Sequence, residues 1–290
     1  MSEAQLFDLG YREYDGPRHR PALAILTLAW FTAKRVLGLG RGARHKVLPA
    51  ITLAVAFLPA LVSVVVSVVT DNLLEEDIIT YGEYTFFIGS ALVLFAALVA
   101  PEALCPDRRS GMLGLYLAGP LDRTRYLAGK ALAVFGVMTL ITVSPLLFML
   151  LAFVLAGYAP GAGESVELLL EIVASGLATA LLYASLSLAV SSFTTRRAAA
   201  AVATVLLFTV PVTVARTAIE SADAPNELDL MSFGFVASEL SYRIFGETPE
   251  ETDEPISQLS TELVAGGLLA ACAAALFVCW IRYRRIEAFR

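Results

Sequence analysis

The chain of 290 residues is 57% hydrophobic and only 17% charged, with a mean hydropathy of +0.71, whereas soluble domains run at about 45–50% apolar and about 25% charged. This excludes a water-soluble domain and makes the lipid bilayer the expected solvent. The formal net charge of −6 conceals a very uneven distribution of charge along the chain, and no nucleic-acid partner is expected.

Residues 1–20 are polar, with a turn-forming Asp15, Gly16 and Pro17, and contain no short apolar core followed by a cleavage site, so no removable signal peptide is expected. An apolar stretch of about a dozen residues, Ala22 to Ala33, follows. Crossing the bilayer takes roughly 20 helical residues, so this stretch is too short to span. With Trp30 and Phe31 beside Lys34, Arg35, Arg41, Arg44 and Lys46, it suits an amphipathic helix in the headgroup region; a cytosolic helix against another subunit is the alternative. Residues 1–46 therefore form a cytoplasmic N-terminus with an interfacial helix, ahead of a transmembrane domain over 47–290.

Six spans are expected, at about 47–69, 84–100, 131–156, 166–190, 198–215 and 261–281, giving an all-α integral membrane protein. Pro49 and Pro59 fall inside the first span, where neighbouring helices can satisfy the freed carbonyls. The polar stretch 101–130 carries five Lys and Arg around a short apolar segment, Met112 to Leu117. A plain connection would not need that segment, which suits a short helix at the membrane surface that something outside the membrane could push. The segment 216–260 is long and acidic, and within it Phe233, Val236, Leu240 and Ile244 recur at helical spacing. It suits a helix lying on or dipping into the outer leaflet.

Orientation follows from Lys and Arg in alternate segments. Eight lie before the first span, five in 101–130, two at Arg196 and Arg197 and four after the sixth span, leaving only Arg216 and Arg243 on the other side. Both termini are therefore expected to be cytoplasmic.

Reactive constellations are missing. Gly129 and Lys130 are followed by Ala131, and no glycine lies five positions before Gly129, so there is no phosphate-cradling loop of the GxxxxGK[ST] kind. Neither HExxH nor GxSxG occurs. Cys105, Cys272 and Cys279 read as small buried apolar side chains, and His19 and His45 are isolated, so no metal or cofactor site is expected in this chain. The expected spans are essentially free of charge, with Glu171 near an outer end, which argues against ion-coupled or proton-coupled transport. Ser175, Thr179, Tyr183 and Ser187 recur every four positions on the fourth span, and Ser63, Ser67 and Thr70 share a face of the first. Such stripes could line a path for an amphipathic substrate, or could bond within and between closely packed helices.

The stretch Asp107, Arg108, Arg109, Ser110, Gly111, Met112, Leu113, then Pro120, Leu121, Asp122, Arg123, then Gly129 and Lys130 resembles the cytoplasmic loop after the second span of ABC-2 type transporter permeases, the membrane subunits of ABC exporters. Tyr11 to Tyr14 with Gly16 and Arg18 is similar to the family's approach to its interfacial helix. Asp107 stands where the family more often has Glu, and Met112 where Thr is common. The resemblance implies that 107–117 is a coupling helix docking in a groove of a cytosolic ABC ATPase, with Leu113 and Leu117 as apolar anchors and Arg108, Arg109 and Arg123 at the rim. It also implies two ATPase copies, which would hold the ATP and Mg, and a homodimer or a heterodimer with a sister permease in a prokaryotic plasma membrane. The function implied is export of a hydrophobic or amphipathic molecule. Positive-inside topology alone would also place arginines here, and Gly111, Leu113 and Pro120 are what favour docking. A non-transporting scaffold, signalling or maturation subunit driven by the same ATPase, acting through 216–260, is the alternative; a membrane enzyme lacks reactive residues in its spans.

Overall fold

A computed structural model describes residues 21–40, 42–70, 79–117, 121–158, 161–248 and 254–285. Residues 1–20, with the Tyr11 to Arg18 pattern, lie outside the described residues, as do Pro120 and the side chain of Leu117. Among the described residues all regular structure is helical. The helices are α1 (Pro21–Val36), α2 (Arg44–Val69), α3 (Tyr84–Phe87), α4 (Gly89–Arg109), α5 (Met112–Leu117), α6 (Arg123–Ala156), α7 (Ala162–Ser191), α8 (Arg197–Ala222), α9 (Phe233–Ile244) and α10 (Thr261–Arg285), with a 3-10 turn at Asn226–Met231 between α8 and α9.

Six of these, α2, α4, α6, α7, α8 and α10, are long and apolar enough to cross a bilayer. Their long runs of Leu, Val and Ala leave no water-facing stripe, so the only way to satisfy the backbone in lipid is a continuous helix. α4 and α7 are the most buried of the six and α2, α8 and α10 the least. The bundle is thus built around α4 and α7, with the apolar side chains of the outer helices facing away from the chain. Close approach relies on missing side chains where helices cross: a Cβ on Gly176 of α7 would collide with Val143 Cγ2 of α6.

The fifth span runs seven residues past its expected end, to Ala222, and two further boundaries differ where the polar stretch was expected. α4 runs on through the polar stretch to Arg109, and α6 begins at Arg123 rather than near 131. Charges that looked like helix ends lie within continuous helices because they neutralise one another. Only 110–122 connects the two, with Gly111 at φ 70° turning the chain from α4 into α5, a left-handed conformation that Gly adopts without a Cβ clash.

The segment after α8 folds back along the bundle. Phe208 of α8 meets Phe233 at the start of α9, with ring centroids 6.3 Å apart; Phe208 lies fourteen residues before the end of α8, or roughly 20 Å at 1.5 Å per residue. From there α9 climbs beside α7, and Ser241 Oγ, near its end, lies 2.8 Å from Ser175 Oγ and accepts from the Thr85 hydroxyl at 3.1 Å. Val236, Ala237, Glu239 and Tyr242 are all buried, so this is a packed hairpin of the bundle.

Candidate functional site

The last two turns of α4 carry Glu102 and Asp107. An anion near a helix C-terminus opposes the helix dipole, and Asp107 is also only 2% exposed, so it needs donors. α6 supplies Lys130 Nζ at 2.6 Å and the Tyr126 hydroxyl, which donates at 3.0 Å. α1 supplies Arg35, whose guanidinium donates to the other carboxylate oxygen at 2.8 Å. Lys130 is 1% exposed, so this is a desolvated ion pair, viable only because both partners and further donors are present. Burial works against the charge of Arg35, but the hydrogen bond and charge of Asp107, with Glu102 behind it, outweigh that and raise its pKa above the usual value.

Glu102 extends the cluster. It lies 3.6 Å from Arg35 Nε and pairs with Arg197, the first residue of α8. One charge cluster thus joins α1, α4, α6 and α8 at the basic end of the bundle. Gly129, beside Lys130, permits it: a Cβ there would lie 3.0 Å from Leu28 Cδ2 and 3.2 Å from the Ile25 carbonyl oxygen of α1.

The short helix α5 hangs on this cluster. Tyr116 packs on Tyr126 with centroids 5.5 Å apart, and Tyr126 on Tyr283 of α10 at 6.0 Å. Lys130 Nζ lies 5.8 Å from the Tyr116 ring. Burial, and then the Asp107 charge, push the Tyr116 phenol up, so it stays neutral. Leu113, expected as a docking anchor, is buried within the chain, while Met112 and Leu115 are exposed.

The arginines expected at the rim divide. Arg108 turns inward and donates to the carbonyls of Ser192 and Thr194 in the α7–α8 turn. Arg123 donates to the Arg284 carbonyl, tying α6 to α10. Arg109 is exposed. Asp122, inside the expected motif, caps α6 by accepting from the Arg125 N–H at 2.7 Å.

The stripe on α7 is enclosed. Ser175, Thr179, Tyr183 and Ser187 are all buried. Ser175 faces Ser241 of α9, Tyr183 stacks on Phe208 with centroids 4.5 Å apart, and Ser187 donates back to the Tyr183 carbonyl at 2.7 Å. Ser175 and Tyr183 lie against α9, where a Cβ on Gly234 would be 3.6 Å from the Tyr183 hydroxyl, and none of the four lines the grooves found on the bundle. Ser63 likewise donates to the Ile79 carbonyl at 3.4 Å. Among the described residues no group of His, Cys, Asp and Glu could hold a metal ion.

Sequence reasoning missed Glu102, Arg35 and Tyr126 as members of one cluster. Glu102 and Tyr126 each lie within a few residues of the motif and stand on its helical faces, which was the available signal; Arg35 comes from a helix whose docking position only the fold shows. A family model described as ABC-2 family transporter protein matches residues 34–288. No curated protein matches the chain.

Proposed function

Because the chain belongs to the ABC-2 family of transporter proteins, we propose that it is the permease subunit of an ATP-driven transporter, energised by a separate cytosolic ABC ATPase that docks on α5. The observation that carries this reading is the pairing of two features at the basic end: exposed Met112 and Leu115 on α5, and a rigid attachment of α5 through Tyr116 and Tyr126 to the buried Asp107–Lys130 pair. A push on α5 is delivered to α1, α4, α6 and α8 together, because a packed, ion-paired junction transmits displacement rather than absorbing it. Exposed Arg109 stands beside α5 to meet acidic groups of the ATPase.

The permease acts as a dimer, with itself or a sister permease, and two ATPase subunits supply the ATP and Mg. Its cargo is a hydrophobic or amphipathic molecule moved outward across a prokaryotic plasma membrane, in keeping with spans whose fully buried charges, Asp107 and Lys130, neutralise each other. Both termini face the cytoplasm, where the Lys and Arg cluster.

Co-purification with the co-expressed candidate ATPase tests the docking. A Leu anchor on desolvation is worth about 1.5–3 kcal/mol, so Met112→Asp with Leu115→Asp should weaken retention roughly tenfold or more, while the chain still inserts and melts as wild type, since both side chains are exposed. Retention of the ATPase by that variant would overturn the assignment of α5.

A further inference from the structure

Exposed apolar side chains are expected on any helix that faces lipid, so exposure alone identifies nothing. A concave place on the bundle says more. A groove of about 580 Å³ lies between the ends of α7, α8 and α10, walled by Ala189 of α7, Phe193 of the turn after it, Ala203 of α8, Ala274 and Val278 of α10, and floored by Phe233 of α9. It is concave because alanines stand where the neighbouring helix faces carry larger residues, and its volume falls within the roughly 300–1,000 Å³ of small-molecule sites.

Its mouth is charged. Arg282 follows Val278 by four residues and so stands above it on the same face of α10, with its guanidinium carbon 5.7 Å from the Phe193 ring. Arg196 immediately precedes α8, between Thr194 and Ala199, which both line the groove. Both are exposed, and among the described residues neither forms an ion pair, unlike Arg35, Arg197, Arg216 and Arg243. An apolar trough ending in two uncommitted guanidinium groups, at the level where a helix bundle meets the headgroups, is complementary to a molecule with an alkyl chain at one end and an anion at the other.

We propose that this groove holds an acyl chain of an anionic phospholipid from the surrounding bilayer, with the headgroup phosphate against Arg196 and Arg282. The lipid fills the space between α8 and α10, two of the least buried spans, and joins the turn after α7 to the end of α10. The assignment is independent of the ATPase docking.

The test uses the full chain in vesicles of equimolar phosphatidylglycerol and phosphatidylcholine, doped with a spin-labelled form of one lipid or the other, and reads the fraction of label immobilised by the protein. Wild type should immobilise phosphatidylglycerol in preference to phosphatidylcholine. Each arginine near an anionic surface contributes roughly fivefold to such a preference, so Arg196→Gln with Arg282→Gln should reduce it by roughly tenfold or more and leave phosphatidylcholine unaffected. Ala274→Phe, at an exposed wall position, should reduce immobilisation of both lipids. Equal immobilisation of the two lipids by wild type, or an unchanged preference in the arginine variant, overturns the proposal. So does an Ala274→Phe protein that changes its oligomeric state with lipid immobilisation intact, because the groove would then be a contact between two copies of the chain.

Discussion

Asp107 and Lys130 lie twenty-three residues apart on two helices joined by a tight connection, and each makes the other tolerable. Removing one member of such a buried pair costs about 3–5 kcal/mol because the survivor is left charged and desolvated. Asp107→Asn should therefore lower the stability of the purified chain by that order, read as a fall in its unfolding midpoint. Asp107→Leu with Lys130→Met should cost less, since it removes both buried charges and keeps the volume filled. A melting curve for Asp107→Asn that matches wild type would show that the cluster does not hold the helices together. Gly129 makes a separate contribution through close approach. Gly129→Val would drive branched carbon atoms into Leu28 and the Ile25 carbonyl, and overpacking of this kind costs about 1–3 kcal/mol. The expected outcome is a lower midpoint together with faster proteolysis at α1, while Gly136→Ala in the same helix, with nothing within 4 Å of its Cβ, should leave both measurements unchanged.

At the scale of elements, the lengths of α4 and α6 and the seating of α9 decide what the polar residues are for. α6 has 34 residues, roughly 50 Å of helix, far more than about 30 Å of hydrocarbon requires, so its first two turns are free to build the charge cluster instead of crossing. α9 covers Ser175 and Tyr183 of the α7 stripe, so that part of the stripe can line a path only if α9 moves. Replacing Ser175 and Ser241 by Cys places two thiols where the hydroxyl oxygens are 2.8 Å apart. If transport requires α9 to lift, oxidation of that pair should abolish ATPase stimulation by cargo in the assembled complex, and reductant should restore it. Undiminished stimulation in the oxidised protein would mean that α9 stays seated and that Ser175, Thr179, Tyr183 and Ser187 are helix-packing residues. The same enclosure bears on the scaffold alternative, because Glu247 accepts from Thr80 and from the Gly82 N–H, and Arg243 donates to the Ile256 and Ser257 carbonyls, spending polar groups of the 216–260 segment inside the chain.

For the whole molecule, the distribution of Lys and Arg over the six candidate spans predicts a topology with the polar cluster on the cytoplasmic side. Single cysteines at Thr195 and Ala222, both exposed, should be labelled by a membrane-impermeant thiol reagent from opposite sides, Thr195→Cys only after the membrane is opened. The native Cys105, Cys272 and Cys279 are buried and should add little background. Labelling of both positions in intact cells would refute the topology. The two basic residues on the minority side do not weaken the count, because each is neutralised locally: Arg216 lies 3.1 Å from Glu254 and over the Phe235 ring, and Arg243 lies 2.7 Å from Glu239.

The sequence by itself determined the six long helices, the side on which charge accumulates, the short apolar helix in the polar stretch and the similarity to ABC-2 permeases. The helices and the charge distribution follow from composition and periodicity, which lipid makes unusually legible because a spanning segment must satisfy its own backbone, whereas the similarity rests on particular residues between Asp107 and Lys130. Only the tertiary structure decided where α4 and α6 end, which face of α5 is free, and that Arg35 joins Asp107 and Lys130. It also decided that Leu113 turns inward and that α9 packs over Ser175 and Tyr183 of α7. A charge in a sequence marks a helix end only when it must reach water, and whether another helix supplies a counter-charge first depends on contacts between residues distant in the chain, which no local pattern encodes.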